Sequence, residues 1–98
     1  MAGKTTRERI AEHLLEGELT AAALAVALDR PVEAIYRDLE HVARSYDGAN
    51  ADGQFLVAPP RCRECGFDRF DERLSEPSRC PECRSEAIDP PIFTIEER

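Results

Sequence analysis

The sequence predicts an α+β chain: three short helices, then a turn with a β-prone run, then a small β-rich tail gathered by four cysteines. Three observations carry that reading. Residues 5 to 45 are rich in Ala and Leu at helical spacing and contain a single proline. Residues 46 to 58 join turn chemistry to an apolar run. From Pro59 onward stand six of the seven prolines and all four cysteines, with no long periodic stretch. The change of grammar at Pro59-Pro60 divides the chain into expected units 1–58 and 59–98.

Each element has a local cause. Thr5 or Thr6 caps a first helix that carries Ile10, Leu14 and Leu15 and ends at Gly17, a residue tolerant of the left-handed conformation found after helices. Thr20 precedes Ala21-Ala22-Ala23-Leu24-Ala25-Val26-Ala27-Leu28, a second helix of high intrinsic propensity. Asp29-Arg30-Pro31 breaks it, and Pro31 suits the first turn of a third helix running to about Ser45. Ile35, Leu39 and Val42 recur at i, i+4 and i+7, a stripe that faces a core. Three short helices, the last two joined by a tight turn, outline a helix-turn-helix. Tyr46 to Gly53 then supply turn residues, and Gln54-Phe55-Leu56-Val57-Ala58 a strand, so residues 46 to 58 read as a hairpin wing. The pattern is that of a winged helix-turn-helix.

Size and composition bound what such a chain can do. With 98 residues there is no room for a large catalytic fold. A balance of 42% hydrophobic and 34% charged residues is that of a globular, soluble chain. No apolar run approaches the ~20 residues that cross a bilayer. The opening Met1-Ala2-Gly3-Lys4-Thr5-Thr6-Arg7 lacks the apolar core of a secretory signal. A cytosolic chain with reduced thiols is therefore expected. The net charge of −7 opposes phosphate binding. One Lys stands against 12 Arg, 13 Ala and 20 acids, however, a balance resembling proteins adapted to high internal salt, where that test loses force.

The third helix has a candidate reading face. Opposite Ile35, Leu39 and Val42 lie Glu33, Arg37, Glu40 and Arg44, with His41 alongside and Arg30 in the preceding turn. Arg30, Arg37, His41 and Arg44 are the groups placed to meet phosphates or base edges. Glu33 with Arg37 and Glu40 with Arg44 are also acid-before-base pairs at i, i+4, so the arginines are expected to be occupied on the helix itself. The wing carries Asp47 and Asp52 but no Lys or Arg, and would repel phosphate.

The most specific signal is Cys62-Arg63-Glu64-Cys65 and Cys80-Pro81-Glu82-Cys83, two C-x2-C turns separated by 14 residues. Two residues between cysteines let one turn aim both sulfurs at one ion, and two such turns complete a tetrahedron. Gly66 eases the first turn. The second is followed by Arg84 and must close without glycine's freedom. A metal also answers a shortage of core: the tail offers only Phe67, Phe70, Leu74, Ile88, Ile92, Phe93 and Ile95. Four thiolates leave no open position for water, so a structural zinc ion is expected; iron, a redox dithiol and disulfides are the alternatives. The chain resembles rubredoxin in its paired C-x2-C turns, with a shorter inter-pair spacing. His13 and His41 read as helix residues rather than ligands. Asp68, Asp71 and Glu72 read as loop acids balancing Arg69 and Arg73. No nucleophile-base set, P-loop or dinucleotide fingerprint occurs, which predicts no enzymatic activity.

Thr20 to Ser45, Pro60 to Phe67, Pro77 to Glu86 and the trailing Pro91-Ile92-Phe93 together resemble archaeal predicted transcription regulators that fuse an N-terminal helix-turn-helix to a C-terminal zinc ribbon. The resemblance implies a transcription-associated protein with metal ligands Cys62, Cys65, Cys80 and Cys83. DNA is the expected partner. A protein of the transcription machinery is the alternative, and a small iron-bearing electron-transfer protein is the third possibility.

Overall fold

The computed structural model describes residues 5–46, 53–70 and 77–97. The expectations placed on the turn at 47–52 and on Asp71, Glu72, Arg73 and Leu74 fall outside them.

The first helix, α1 (Thr6–Glu16), starts where Thr5 accepts a hydrogen bond from the Glu8 amide at 3.2 Å while its hydroxyl donates to the Glu8 carboxylate at 3.1 Å. Threonine at the N-cap thus satisfies one orphan donor of the first turn, the Glu8 amide. Ile10 and Leu14 are fully buried, while Leu15, expected beside them, is 39% exposed. The reason is angular: i and i+4 share a face, and the next residue turns about 100° away. Gly17 departs from expectation as well. Its φ of 172° and ψ of −179° are extended, not left-handed, and deliver the chain straight into a two-residue strand, β1 (Leu19–Thr20).

Thr20 ends that strand and caps α2 (Ala21–Leu28), accepting from the Ala23 amide at 3.2 Å. At the other end Asp29 takes the left-handed conformation with φ 53° and ψ 53°. The Arg30 amide donates to the Ala25 carbonyl at 3.0 Å and the Asp29 amide to that of Val26 at 3.4 Å. This is the paired reverse bonding that closes helices, built on Asp where Gly is usual. Pro31 then stands just before α3 (Val32–Ser45) rather than within its first turn. Ile35, Leu39 and Val42 are buried, as their spacing requires.

Two antiparallel strands complete the body. They are β2 (Gly53–Ala58) and the C-terminal strand, labelled β5 (Ile92–Glu97) because two short strands intervene. The sheet runs β1-β5-β2, so the end of the chain lies at its centre. β2 thus forms where a strand is expected, but its partner is β5, from Gly53 opposite Glu97 to Ala58 opposite Ile92. Phe93 and Ile95, expected to build a separate ribbon core, instead join Ile10, Leu14, Ala21, Leu24, Ile35, Leu39 and Val42. Phe93 meets Tyr36 edge-on at 6.3 Å and Phe55 at 6.0 Å between centroids. Ile92, on the opposite face of β5, is 38% exposed. The expected division between 58 and 59 falls at the end of β2, yet residues 92–97 serve the helical body.

The remaining strands, β3 (Arg61–Cys62) and β4 (Ile88–Asp89), form a second small sheet. It continues the first in one register: Ala58 pairs with Ile92 and Arg61 with Asp89, so Pro59 and Pro60 stand across from Pro91 and Pro90. Four residues without an amide hydrogen interrupt the ladder there, while Pro60 and Pro91 are fully buried.

Replacing Phe93 by Ala should therefore cost the helical body about 3 to 5 kcal/mol, although the residue lies in the cysteine-bearing half. Leu15→Ala should change stability by no more than about 0.5 kcal/mol. Denaturant unfolding followed by helical circular dichroism measures both.

Candidate metal centre

The two cysteine turns are built alike. In the first, the Cys62 amide donates to the Phe67 carbonyl at 2.8 Å and the Gly66 amide to the Cys62 carbonyl at 2.9 Å. In the second, the Cys80 amide donates to the Ser85 carbonyl and the Arg84 amide to the Cys80 carbonyl, each at 2.8 Å. The residue after each pair is left-handed: Gly66 at φ 80° and Arg84 at φ 63°. The first turn uses the residue suited to that conformation. The second holds an arginine there at a cost of about 1 to 2 kcal/mol, which the surrounding bonds must offset. The Arg63 amide joins the two halves by donating to the Ala87 carbonyl at 2.8 Å, and its guanidinium pairs with Asp89 at 3.1 Å.

These turns bring all four sulfurs within 4.8 Å of one another. Cys62 and Cys83 Sγ lie 3.5 Å apart, and Cys65 and Cys80 Sγ 3.6 Å. A tetrahedron with metal–sulfur bonds of ~2.3 Å has edges of ~3.8 Å, so the four thiols fit one tetrahedral ion and stand too far apart to be bonded to each other. Cys62 and Cys80 are buried; Cys65 and Cys83 are exposed. Phe67 and Phe70 pack edge to face beside the site at 5.0 Å.

The electrostatics point the same way. Hydrogen bonding from the Cys65 amide, aided by that of Glu64, lowers the Cys62 thiol to about 7 against the pull of desolvation. At Cys83 the Ser85 amide also pulls downward, but desolvation and the three neighbouring sulfurs outweigh it and push the thiol up to about 12. At Cys65 the Phe67 amide is likewise overcome by desolvation and Cys80, and the thiol is raised. Four thiolates at this separation repel one another, and a divalent cation is the charge that lets them ionise together. Metal uptake must therefore expel protons, and acid must weaken it.

The face proposed on α3 is also open. Arg30, Arg37, His41 and Arg44 are all exposed. The expected pairs Glu33–Arg37 and Glu40–Arg44 are not formed: among the described residues neither arginine makes an ion pair. Among the described residues, α3 pairs through Asp38 with Arg7 of α1 at 3.3 Å. Spacing alone shows that two side chains can reach each other, not that they do so on an exposed face where water competes. Arg61, one of the ribbon arginines expected to share in DNA contact, is exposed and lies across the first cysteine turn, its Nη2 3.6 Å from the position a Cβ on Gly66 would take.

Comparison with known proteins follows these two halves. A family model described as PF0610-like, N-terminal, matches residues 5–55, and one described as the PF0610 rubredoxin-like zinc beta-ribbon domain matches residues 59–98. The chain belongs to the PF0610-like family. The solution NMR structure of protein PF0610 from Pyrococcus furiosus is similar to it, with 36% identity and a TM-score of 0.80, over 100% of this chain and 95% of that one. No curated protein matches the chain. In this family setting the four cysteines are the metal site of a zinc-ribbon domain, and zinc is the ion that suits their donor chemistry. Among the described residues no helix is long and apolar enough to cross a membrane.

The two left-handed positions give a paired test. Gly66→Ala should weaken zinc holding by about five- to thirtyfold, the equivalent of about 1 to 2 kcal/mol of backbone strain, and Arg84→Gly should tighten it by up to about tenfold, since glycine's extra chain entropy takes back about 0.5 to 1 kcal/mol of the strain relieved. Competition with a chromophoric chelator reads both, and opposite signs are expected.

Proposed function

We propose that the chain is a transcription regulator of winged helix-turn-helix type that binds DNA through α3, with the ribbon between β2 and β5 taking the place of a wing. One structural zinc ion, held by Cys62, Cys65, Cys80 and Cys83, supplies fixed tetrahedral geometry and no open position for hydrolytic chemistry. No catalytic step is assigned to the protein.

The observation that carries this reading is the free outer face of α3. Arg30, Arg37, His41 and Arg44 are exposed, and among the described residues none of them makes an ion pair, while the opposite face is fixed in the core by Ile35, Leu39 and Val42. The tight turn at Asp29-Arg30-Pro31 that joins α2 to α3 is the kind of connection a helix-turn-helix uses, which supports the reading. Arg37 and Arg44 lie seven residues apart, about 10.5 Å along the axis, so both can meet one groove and its flanking phosphates. The ribbon adds Arg61, Arg69, Arg79 and Arg84 as exposed cations. Arg63, committed to Asp89, is not among them.

A second reading, docking onto a protein of the transcription machinery, draws on α2. Val26 is 84% exposed and Ala22, Ala23 and Ala27 are exposed with it, an apolar surface where a backbone-contacting helix would carry polar groups.

DNA titration of the zinc-loaded protein at several salt concentrations separates the two. DNA binding predicts affinity that falls steeply with salt, and an Arg37→Ala/Arg44→Ala double variant whose log-log salt slope is reduced by about 2, close to 0.9 per lost phosphate contact. A folded, zinc-loaded protein that binds no DNA even at low salt would overturn the reading in favour of docking.

A further inference from the structure

The main sheet has two outer edges of unlike character. β1 is two residues long and offers little to pair with. β2 runs for six residues, and among the described residues its backbone hydrogen bonds reach only β5. Among the described residues, none pairs with the outward row of amides and carbonyls on β2. Folded proteins blunt such edges with lysine, proline, a bulge or an inward-pointing charge. β2 has none of these. Gly53-Gln54-Phe55-Leu56-Val57-Ala58 contains no charged residue and no proline, in a chain that is 34% charged. Its pairing with β5 runs residue for residue without a bulge, so nothing twists the edge away.

We infer that β2 is a self-pairing edge, which joins two copies of this chain antiparallel across a two-fold axis into a continuous six-stranded sheet. The choice of a second copy rests on the missing charge. Across a two-fold axis a strand meets its own sequence reversed, so a charge near the axis faces a like charge and destabilises the pair. An edge fitted to a different, charged partner strand gains from a complementary charge. An edge that must meet itself is best left neutral. With Leu56 on the axis, Gln54 of one copy faces Ala58 of the other, an uncharged pair, and Phe55 faces Val57, an apolar and β-prone one. Pro59-Pro60 ends the strand and limits the pairing to this stretch. The contact is small, and each copy brings a net charge of −7, so association is weak and is strengthened by salt that screens the repulsion.

Sedimentation equilibrium of the zinc-loaded full chain at low and molar salt, from about 10 μM to 1 mM, tests this. The mass should rise from 11.0 kDa toward twice that value with concentration, and further in high salt. Gln54 and Ala58 are both exposed, so lysines there spare the core. The Gln54→Lys/Ala58→Lys variant should stay at monomer mass, as should Gln54→Glu/Ala58→Glu. An equimolar mixture of the two should regain the dimer, which a folding defect cannot produce. A wild-type chain that stays monomeric throughout overturns the proposal and leaves the edge to an extended segment of another protein. A dimer that persists in the lysine variant overturns it in favour of a different self-contact.

Discussion

The convergence of four sulfurs on one point is the constraint on which the rest of the structure depends. The cysteine turns are the far end of an antiparallel ribbon whose near end lies in the hydrophobic core. β3 and β4 share one register with β2 and β5, so what fixes Cys62 opposite Ile88 also fixes Val57 opposite Phe93. An ion at the cysteines therefore sets the alignment of the strand that packs against α1 and carries Phe93 into the core. The ribbon is at once a metal site and a clamp on the fold.

That coupling answers a problem of chain entropy. The centre of the sheet is made by the last residues of the chain, which must find β1 more than seventy residues earlier and β2 across a 33-residue excursion. Closing loops of that length is opposed by entropy. Binding an ion to two cysteine turns folds the excursion back on itself and delivers β5 alongside β2. The opposed prolines at 59, 60, 90 and 91 remove four donors from the ladder at the junction. The coupling there passes through the fixed φ angles and the buried rings of Pro60 and Pro91 rather than through hydrogen bonds.

Much of this was legible in the sequence because its causes are local. Threonine caps, the stop at Asp29-Arg30-Pro31, the stripe of Ile35, Leu39 and Val42, and the cysteine spacing each act within a few residues. What stayed hidden was decided at long range. Ile92, Phe93, Thr94 and Ile95 are β-prone residues, but nothing in them names β2 and β1 as neighbours or the helical core as the place where Phe93 is buried. Leu19-Thr20 is too short for any periodicity, and exists because β5 is there to pair with it. The glutamates of α3 had the spacing to hold its arginines. On an exposed helix face the gain is a few tenths of a kcal/mol, too little to hold both side chains in one geometry.

One ion holds both the cysteine turns and the alignment of β5. Amide hydrogen exchange before and after chelation tests it most directly. Stripping the metal should abolish protection at Cys62, Gly66, Cys80, Arg84 and Ile88 and lower it at Phe93 and Ile95, with recovery when zinc is restored. Complete metal removal that leaves the exchange of those cysteine-turn amides unchanged would contradict the account.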